Sequence, residues 1–217
     1  MPARRYLRHA IATDTPLASA VRLRMHGELK LQRWFPFEAE QVIVWNRGMI
    51  WRATVRPFGV PIHGFDRVVD GRGAQQWKAW GWIPLVSAAG PDVARSTAGR
   101  MAAESMWLPS VLCGPSAQWS FDGTRPTVEV CAQERTFTLT LQVDEDGRLQ
   151  SLSMMRWGET DDGTFTSRPF GARIEAERTF DGYTIPAQVR VGWHLHTDRA
   201  ASDGEFFRGT IDAATFR

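Results

Sequence analysis

The chain contains almost no lysine, and this scarcity bears on the kind of partner it binds. Lys30 and Lys78 are the only lysines among 26 basic residues, and the formal net charge is only +2. The arginines are scattered along the whole chain, whereas a nucleic-acid-binding surface gathers its basic residues in one patch or stripe. The sequence therefore predicts solvated strand faces and no nucleic-acid partner.

Cysteine and long apolar segments are also lacking. Cys113 and Cys131 are the only cysteines and form no CxxC motif, so we expect no disulfide framework. Each is interpreted as a small buried hydrophobe, and pairing between the two stays open. No apolar stretch is long enough to span a bilayer, and none follows the basic N-terminus as it would in a signal peptide. We therefore expect a cytoplasmic protein without an integral membrane segment, although a chain trimmed of an upstream anchor would show the same pattern.

The motifs of the common enzyme classes are missing as well. The sequence contains no Walker loop, dinucleotide fingerprint, nucleophile elbow or HExxH motif. The segment Gly71-Arg72-Gly73 is interpreted as a hairpin turn, because it is too short to cradle a phosphate. We expect no cofactor, and the sequence names no reaction.

The sequence does contain segments in which apolar and polar residues alternate. In residues 21–32 the odd positions are apolar or glycine and the even positions are polar, a pattern typical of a half-buried strand. Similar segments follow one another through short turns such as Asp181-Gly182, which connect antiparallel neighbours. The sequence predicts about ten or eleven strands, and a sheet of this width must curl or close.

Two segments have helical patterns instead. Residues 2–11 predict a short N-terminal helix with Tyr6 and Ala10 on its apolar stripe. Residues 93–108 predict a central helix that begins near Pro91 and ends before Pro109. No shift in composition marks a linker, so we expect one domain over residues 1–217. Its predicted fold class is mainly β (α+β), a curved antiparallel sheet or half-barrel with the central helix across its concave face.

Four segments, taken together and in this order, resemble the sequence of a known family. They are Arg5-Tyr6-Leu7 and residues 34–41, 47–53 and 90–109. Together they resemble an uncharacterised bacterial family, a domain of unknown function that implies no activity. The layout is also similar to the half-barrel of the LolA/LolB lipoprotein-carrier superfamily, in which an open sheet wraps an apolar cavity covered by helices. This second resemblance implies a fold and not a function, and the chain lacks the secretion signal of those carriers.

The candidate ligand-binding residues follow from an excess of tryptophan, with 10 tryptophans against 2 tyrosines. Large rings and flexible thioethers line apolar ligand cavities, although they fill protein cores equally well. Glu104 would be a polar anchor if it faces the cavity, or a surface partner of Arg100 if it faces solvent. The predicted ligand-binding residues are Trp34, Trp51, Trp77, Trp80, Trp82, Met101, Glu104 and Trp107.

Catalytic and metal-binding candidates are fewer. Glu104, His63 and Asp66 are the candidate acids and bases, since a histidine near a carboxylate can transfer protons. His194 and His196 are two apart on a predicted strand, and Asp198 would extend that face. Both histidines fall in the outward phase, where supporting partners are few, so we expect no metal.

Three functions remain open at this point. The leading hypothesis is a binding or carrier protein for an apolar small molecule or lipid. The alternatives are a cofactor-independent enzyme that uses the same cavity and a structural or interaction domain with a filled core. Protein partners are not indicated by the sequence.

Overall fold

All the strands that the structure describes belong to one antiparallel sheet. The computed structural model describes residues 2–45, 47–160, 162–195 and 204–217. In chain order the strands are β1 (Ala20–Lys30), β2 (Trp34–Val44), β3 (Gly48–Val55), β4 (Ile62–Val69), β5 (Arg72–Ala79), β6 (Ile83–Ala89), β7 (Gln118–Phe121), β8 (Pro126–Ala132), β9 (Arg135–Val143), β10 (Leu149–Glu159), β11 (Phe165–Phe180), β12 (Tyr183–Trp193) and β13 (Glu205–Phe216). They pair in the order β6-β5-β4-β3-β2-β1-β13-β12-β11-β10-β9-β8-β7. The first and last strands therefore meet in the middle, and β6 and β7 are the two edges.

The helices lie on the concave side of this sheet. Helix α1 (Pro2–Ala10) precedes β1, and helix α2 (Pro91–Ala103) follows β6 and continues as a 3-10 turn over Glu104–Trp107. A second 3-10 turn covers Pro109–Leu112. Helix α2 contacts both β5 and β10, which are eight strand spacings apart, or about 38 Å if the sheet were flat. A helix is only about 10 Å wide, so the sheet curves around it.

The core lies on this concave side, because in most of the strands every second side chain is apolar and points toward it. In β1, Val21, Leu23 and Met25 are buried while the residues between them are exposed, because successive side chains of a strand point to opposite faces. The turn residues Asp181 and Gly182 both have positive φ values, 48° and 84°, which is the conformation of the tight turns that join antiparallel strands. The predicted fold class and both predicted helices are confirmed.

The number of strands is larger than predicted, because two strands were not recognised. The sequence pattern predicts a single strand over residues 75–82, but Trp80 and Gly81 have φ values of 50° and 80° and turn the chain back. The strand therefore ends at Ala79, and β6 follows without an alternating pattern, with Leu85 and Val86 both exposed. Strand β7 is a four-residue edge strand, too short to show a period.

The cysteines also differ from expectation. Both are free and exposed, so the interpretation of each as a buried hydrophobe was wrong. Cys131 lies between the buried residues Val130 and Ala132, and alternation turns its side chain outward. Among the helices of the described residues, none is both long enough and apolar enough to cross a membrane.

Candidate functional site

A cavity of about 580 Å³ lies between helix α2 and the concave face of the sheet. Its wall is mainly aromatic and aliphatic, with a small set of charged side chains. The aromatic members are Trp51, Trp77, Trp107, Phe165, Phe170, Trp193, Phe206 and Phe207. The volume falls within the range of about 300–1,000 Å³ that is typical of small-molecule sites, which combine an apolar wall with a few polar groups.

Two glycines determine how closely helix α2 approaches its neighbours. A Cβ atom added at Gly73 of β5 would lie 2.4 Å from the backbone of Ala94, so only glycine allows this contact between strand and helix. Gly99 on α2 faces β10 in the same way, and a Cβ there would lie 3.1 Å from Cγ of Arg156. The helix is therefore close to the sheet on both sides of the cavity.

Two groups of rings face each other across the cavity. The first ring wall consists of Trp51 on β3 and Trp77 on β5, whose ring centroids are 5.8 Å apart. The second ring wall consists of Phe170, Trp193 and Phe206 on β11, β12 and β13, with centroid separations of 5.3–6.4 Å. Each wall combines rings from different strands, so the curvature of the sheet brings them together.

A buried ion-pair network occupies the helix side of the first ring wall. Arg100 donates from Nε to Glu104 Oε1 at 2.7 Å and from Nη1 to Asp66 Oδ2 at 3.0 Å. Its guanidinium carbon lies 4.9 Å from the centroid of the Trp51 ring. Burial lowers the pKa of Arg100, but the Glu104 and Asp66 carboxylates outweigh that effect and raise the pKa above its ordinary value. Arg100 is therefore a fully charged cation shared by two acids.

The neighbouring polar atoms of this network are incompletely paired. Gln41 Nε2 donates a hydrogen bond to Glu104 Oε2. The other carboxylate oxygen of Asp66, Oδ1, and the indole nitrogen of Trp51 are buried and have no hydrogen-bond partner among the described residues. Since both side chains line the cavity, an acceptor and a donor remain available to a polar ligand group.

Arg156 is a second buried cation, on the opposite side of the cavity. It is only 9% exposed and lies over Phe170 and Trp193, with its guanidinium carbon 4.6 and 5.2 Å from the ring centroids. Its Nε donates to the Ser96 carbonyl at 3.1 Å and its Nη2 approaches Ser96 Oγ at 3.4 Å. Burial, and then repulsion from Arg100, lower the pKa of Arg156 to about 10.

The cavity opens to solvent at one end of these strands. Leu31, Leu85 and Val86 line it and are each more than 40% exposed. Leu31 follows β1, and the other two lie near the start of β6. Exposed apolar side chains around an apolar cavity give a ligand a continuous path from solvent to the interior.

A family comparison covers almost the whole chain. The model of DUF6920, a family of unknown function, matches residues 1–216. The chain belongs to the DUF6920 family. The uncharacterised family that the sequence resembles is thereby confirmed.

Solved structures with a similar layout are distant from this DUF6920 chain. A Vibrio parahaemolyticus domain described as an outer membrane lipoprotein-sorting protein is 11% identical, with a TM-score of 0.47, and the match covers 99% of this chain and 93% of that one. A LolA superfamily protein from Nitrosomonas europaea is 10% identical, with a TM-score of 0.46 and coverages of 100% and 92%. No curated protein sequence matches the chain.

Five of the predicted site residues lie together in the wall of the cavity. They are Trp51, Asp66, Trp77, Glu104 and Trp107. The two alternatives for Glu104 turn out to be compatible, because it faces the cavity and also pairs with Arg100, whose side chain is only 18% exposed. The indole nitrogen of Trp107 donates to the carbonyl of Pro186 at 3.0 Å, which fixes this ring against β12.

The remaining tryptophans and Met101 do not line the cavity. Trp34 lies in the phase of β2 opposite to the buried residues Phe37 and Ala39, and its ring packs beneath the Arg208 guanidinium. Trp80 and Trp82 lie at the β5–β6 turn and are 54% and 73% exposed. Met101 is fully buried in the core, and Met106 lines the cavity instead.

The predicted histidine sites are not assembled in the described residues. His63 and Asp66 are three apart on β4 and therefore face opposite sides of the sheet; His63 is exposed and contacts Thr54 Oγ1 at 3.0 Å. His194 comes after the end of β12 with a φ of 58°, so the alternation of a strand does not apply to it. His196 lies outside the described residues, as does Asp198. In the part of the chain that the structure describes, no three histidine, cysteine or acidic side chains are grouped so that they could hold a metal ion.

Sequence reasoning missed Arg156 and the whole second ring wall. Arg156 lies in the same phase of β10 as the buried residues Leu152 and Met154, so an arginine in an apolar phase was the available signal. Alternation places Trp193 on the inner face of its strand. It does not place the ring in the cavity, because nothing local indicates that β12 and β10 meet beneath one helix.

Proposed function

We propose that this protein binds an apolar small molecule or lipid in the cavity beneath helix α2 and serves as its carrier. The observation that supports this is the 580 Å³ volume with a wall of eight aromatic side chains and an exposed apolar entrance. Burial of apolar ligand surface against such a wall is favourable by about 25 cal/mol per Å². The proposed ligand therefore obtains most of its affinity from the rings.

The size of the cavity favours ligand binding over a filled core. Protein interiors are packed about as densely as organic crystals, and voids larger than a water molecule are few. The cavity of about 580 Å³ is instead continuous with solvent, so a ligand can enter it. It is also placed where Gly73 and Gly99 bring the helix close to the sheet on both sides, so the volume does not result from a loosely packed helix.

The arrangement supports the enzyme alternative less well. Asp66 and Glu104 do converge in the cavity, but Arg100 pairs with both of them. His63 lies on the other face of the sheet, so a histidine–carboxylate pair is not formed in the cavity. In this proposal, Arg100 and the two carboxylates stabilise one another, and their free polar atoms bind a polar group of the ligand.

Native mass spectrometry of the purified protein, followed by titration with a fluorescent hydrophobic dye, tests the proposal. Ala88 of β6 lines the cavity, whereas its neighbour Ala89 is exposed and does not. We expect Ala88→Trp to fill the cavity and weaken dye binding at least about tenfold, as the loss of a few buried contacts would. Ala89→Trp is the matched control and should bind the dye like the unmodified protein.

Two results would contradict the proposal. One is a purified protein that carries no ligand and binds neither the dye nor a fatty acid. The other is an Ala88→Trp variant that folds and binds the dye with unchanged affinity, because the dye would then occupy a different surface.

A further inference from the structure

The two arginines of the cavity differ in how their charge is balanced. Arg100 contacts two carboxylates, at 2.7 and 3.0 Å. Arg156 contacts none: within the described residues no carboxylate oxygen lies within 4 Å of its guanidinium, and its hydrogen bonds go only to Ser96. Its Nη1 donates no hydrogen bond to the described residues. One cation of the cavity thus keeps free donors and lacks a counter-ion.

A buried cation without a counter-ion is costly. The effective penalty for burying an ion is several kcal/mol, and attraction to a close opposite charge is what offsets it. Arg156 is 9% exposed; burial first, and then repulsion from Arg100, lower its pKa, and attraction to Glu104 and Asp66 does not offset these two effects. An anion that enters the cavity would remove this penalty.

The surroundings of Arg156 hold its guanidinium in position without consuming all its donors. Phe170 and Trp193 lie beside it at 4.6 and 5.2 Å, and cation–π attraction of this kind is strongest where water is excluded. The missing side chain at Gly99 leaves room for the stem of Arg156. A guanidinium presented in this way matches the two oxygens of a carboxylate or phosphate.

From this geometry we infer that the ligand is an anionic amphiphile, an apolar chain that ends in a carboxylate or phosphate, and that Arg156 binds its anionic head while the ring walls contact its chain. The inference rests on the proposed function and adds the chemical class of the ligand. A cationic head would find only the free Asp66 Oδ1, on a carboxylate that already pairs with Arg100, whereas Arg156 pairs with no carboxylate of the described residues.

Three probes with the same sixteen-carbon chain separate the head group from the chain: hexadecanoic acid, hexadecyl phosphate and hexadecanol. Binding of each is measured by displacement of the hydrophobic dye at neutral pH. A hydrogen bond to a charged group contributes enough for roughly a ten- to hundredfold change in affinity. We therefore expect at least one of the two acidic probes to bind at least about tenfold more tightly than the alcohol, and the comparison between them identifies the preferred head.

Arg156→Met removes the charge and keeps a long side chain against the rings. We expect it to bind the preferred acidic probe about as weakly as the alcohol, while its affinity for the alcohol stays unchanged. Arg168 is the matched control, because its guanidinium also lies over Trp193, at 5.0 Å, but does not line the cavity. Arg168→Met should keep the preference for the acidic probe.

The outcomes distinguish the two levels of the proposal. If no probe binds the unmodified protein, the proposed function fails and the ligand class fails with it. If the alcohol binds as tightly as both acidic probes, the cavity binds apolar chains and only the anionic head is refuted. If Arg156→Met keeps the preference, the head binds elsewhere and the assignment of Arg156 is wrong. Should Arg156→Met fail to fold, Arg156→Lys is compared at pH 7 and pH 9, and it must prefer the acid at pH 7 and lose that preference toward pH 9.

Discussion

Replacement of Arg100 by methionine provides the sharpest test of the buried ion-pair network. Within the described part of the chain, the change removes the only cation that contacts Asp66 and Glu104 at salt-bridge distance, and the two acids are 21% and 8% exposed. Removal of one partner from a buried ion pair costs about 3–5 kcal/mol, because the remaining charge is left without compensation. We expect Arg100→Met to lower the free energy of unfolding by about this amount at pH 7.

Urea unfolding measures this loss, and a triple variant identifies its origin. Arg100→Met combined with Asp66→Asn and Glu104→Gln carries no buried charge at these positions, so we expect most of the lost stability to return. The control is Arg22→Met, which breaks the exposed pair with Glu40, where the side chains are 61% and 51% exposed. An exposed pair of this kind contributes only about 0–1 kcal/mol.

Two results would refute the reasoning. A loss of less than about 1 kcal/mol for Arg100→Met would mean that the acids are effectively solvated, as at an exposed pair. A triple variant no more stable than the single one would mean that the loss comes from packing of the Arg100 guanidinium on Trp51, 4.9 Å away, and not from the stranded acids.

The remaining predictions concern pH and the approach of the helix. Because the pKa of Arg156 is lowered only to about 10, the group stays charged from pH 7 to 9, and preference for the acidic probe should be constant over that range. In Arg156→Lys the same burial acts on an ordinary pKa of about 10.4, so the preference should decline toward pH 9; a flat profile for this variant would argue against Arg156 as the head-binding group. Gly73→Ala places a Cβ 2.4 Å from the backbone of Ala94 and should cost about 1–3 kcal/mol in thermal or urea unfolding. Gly114→Ala, with no contact under 3.8 Å, is its control, and equal stability of the two variants would contradict the proposed close contact.

Most of the fold was predictable because its signals are local. Alternation in β1 and turns such as Asp181-Gly182 identify strands and their antiparallel connections without any knowledge of distant contacts. The prediction was wrong where the local signal was weak. Trp80-Gly81 forms a turn with a large ring at a positive φ, a position usually taken by asparagine, aspartate or glycine. Strand β6 lies at the edge of the sheet and is exposed on both faces, so its sequence has no alternation of apolar and polar residues that would identify it as a strand.

The site was predictable only in part, because a cavity depends on which strands meet beneath the helix. Alternation indicates that Trp51, Trp77 and Asp66 face one side of the sheet, but the helix period leaves open whether Glu104 faces the cavity or solvent. No local pattern indicates that β10 lies across from β4. Arg156 is far from the two acids in the sequence, so their closeness in the cavity could not be predicted.

Arg156 nevertheless has a sequence signature that can be applied to other sheets. It follows Leu152 and Met154 at two-residue intervals, so the strand places a cation among apolar side chains that face a core. A cation in that phase must obtain a counter-charge from another element, from solvent or from a ligand. Among the described residues, the acids of the cavity network pair with Arg100, and the Arg156 side chain is buried from solvent. The proposed ligand is therefore expected to supply the counter-charge through an anionic head group.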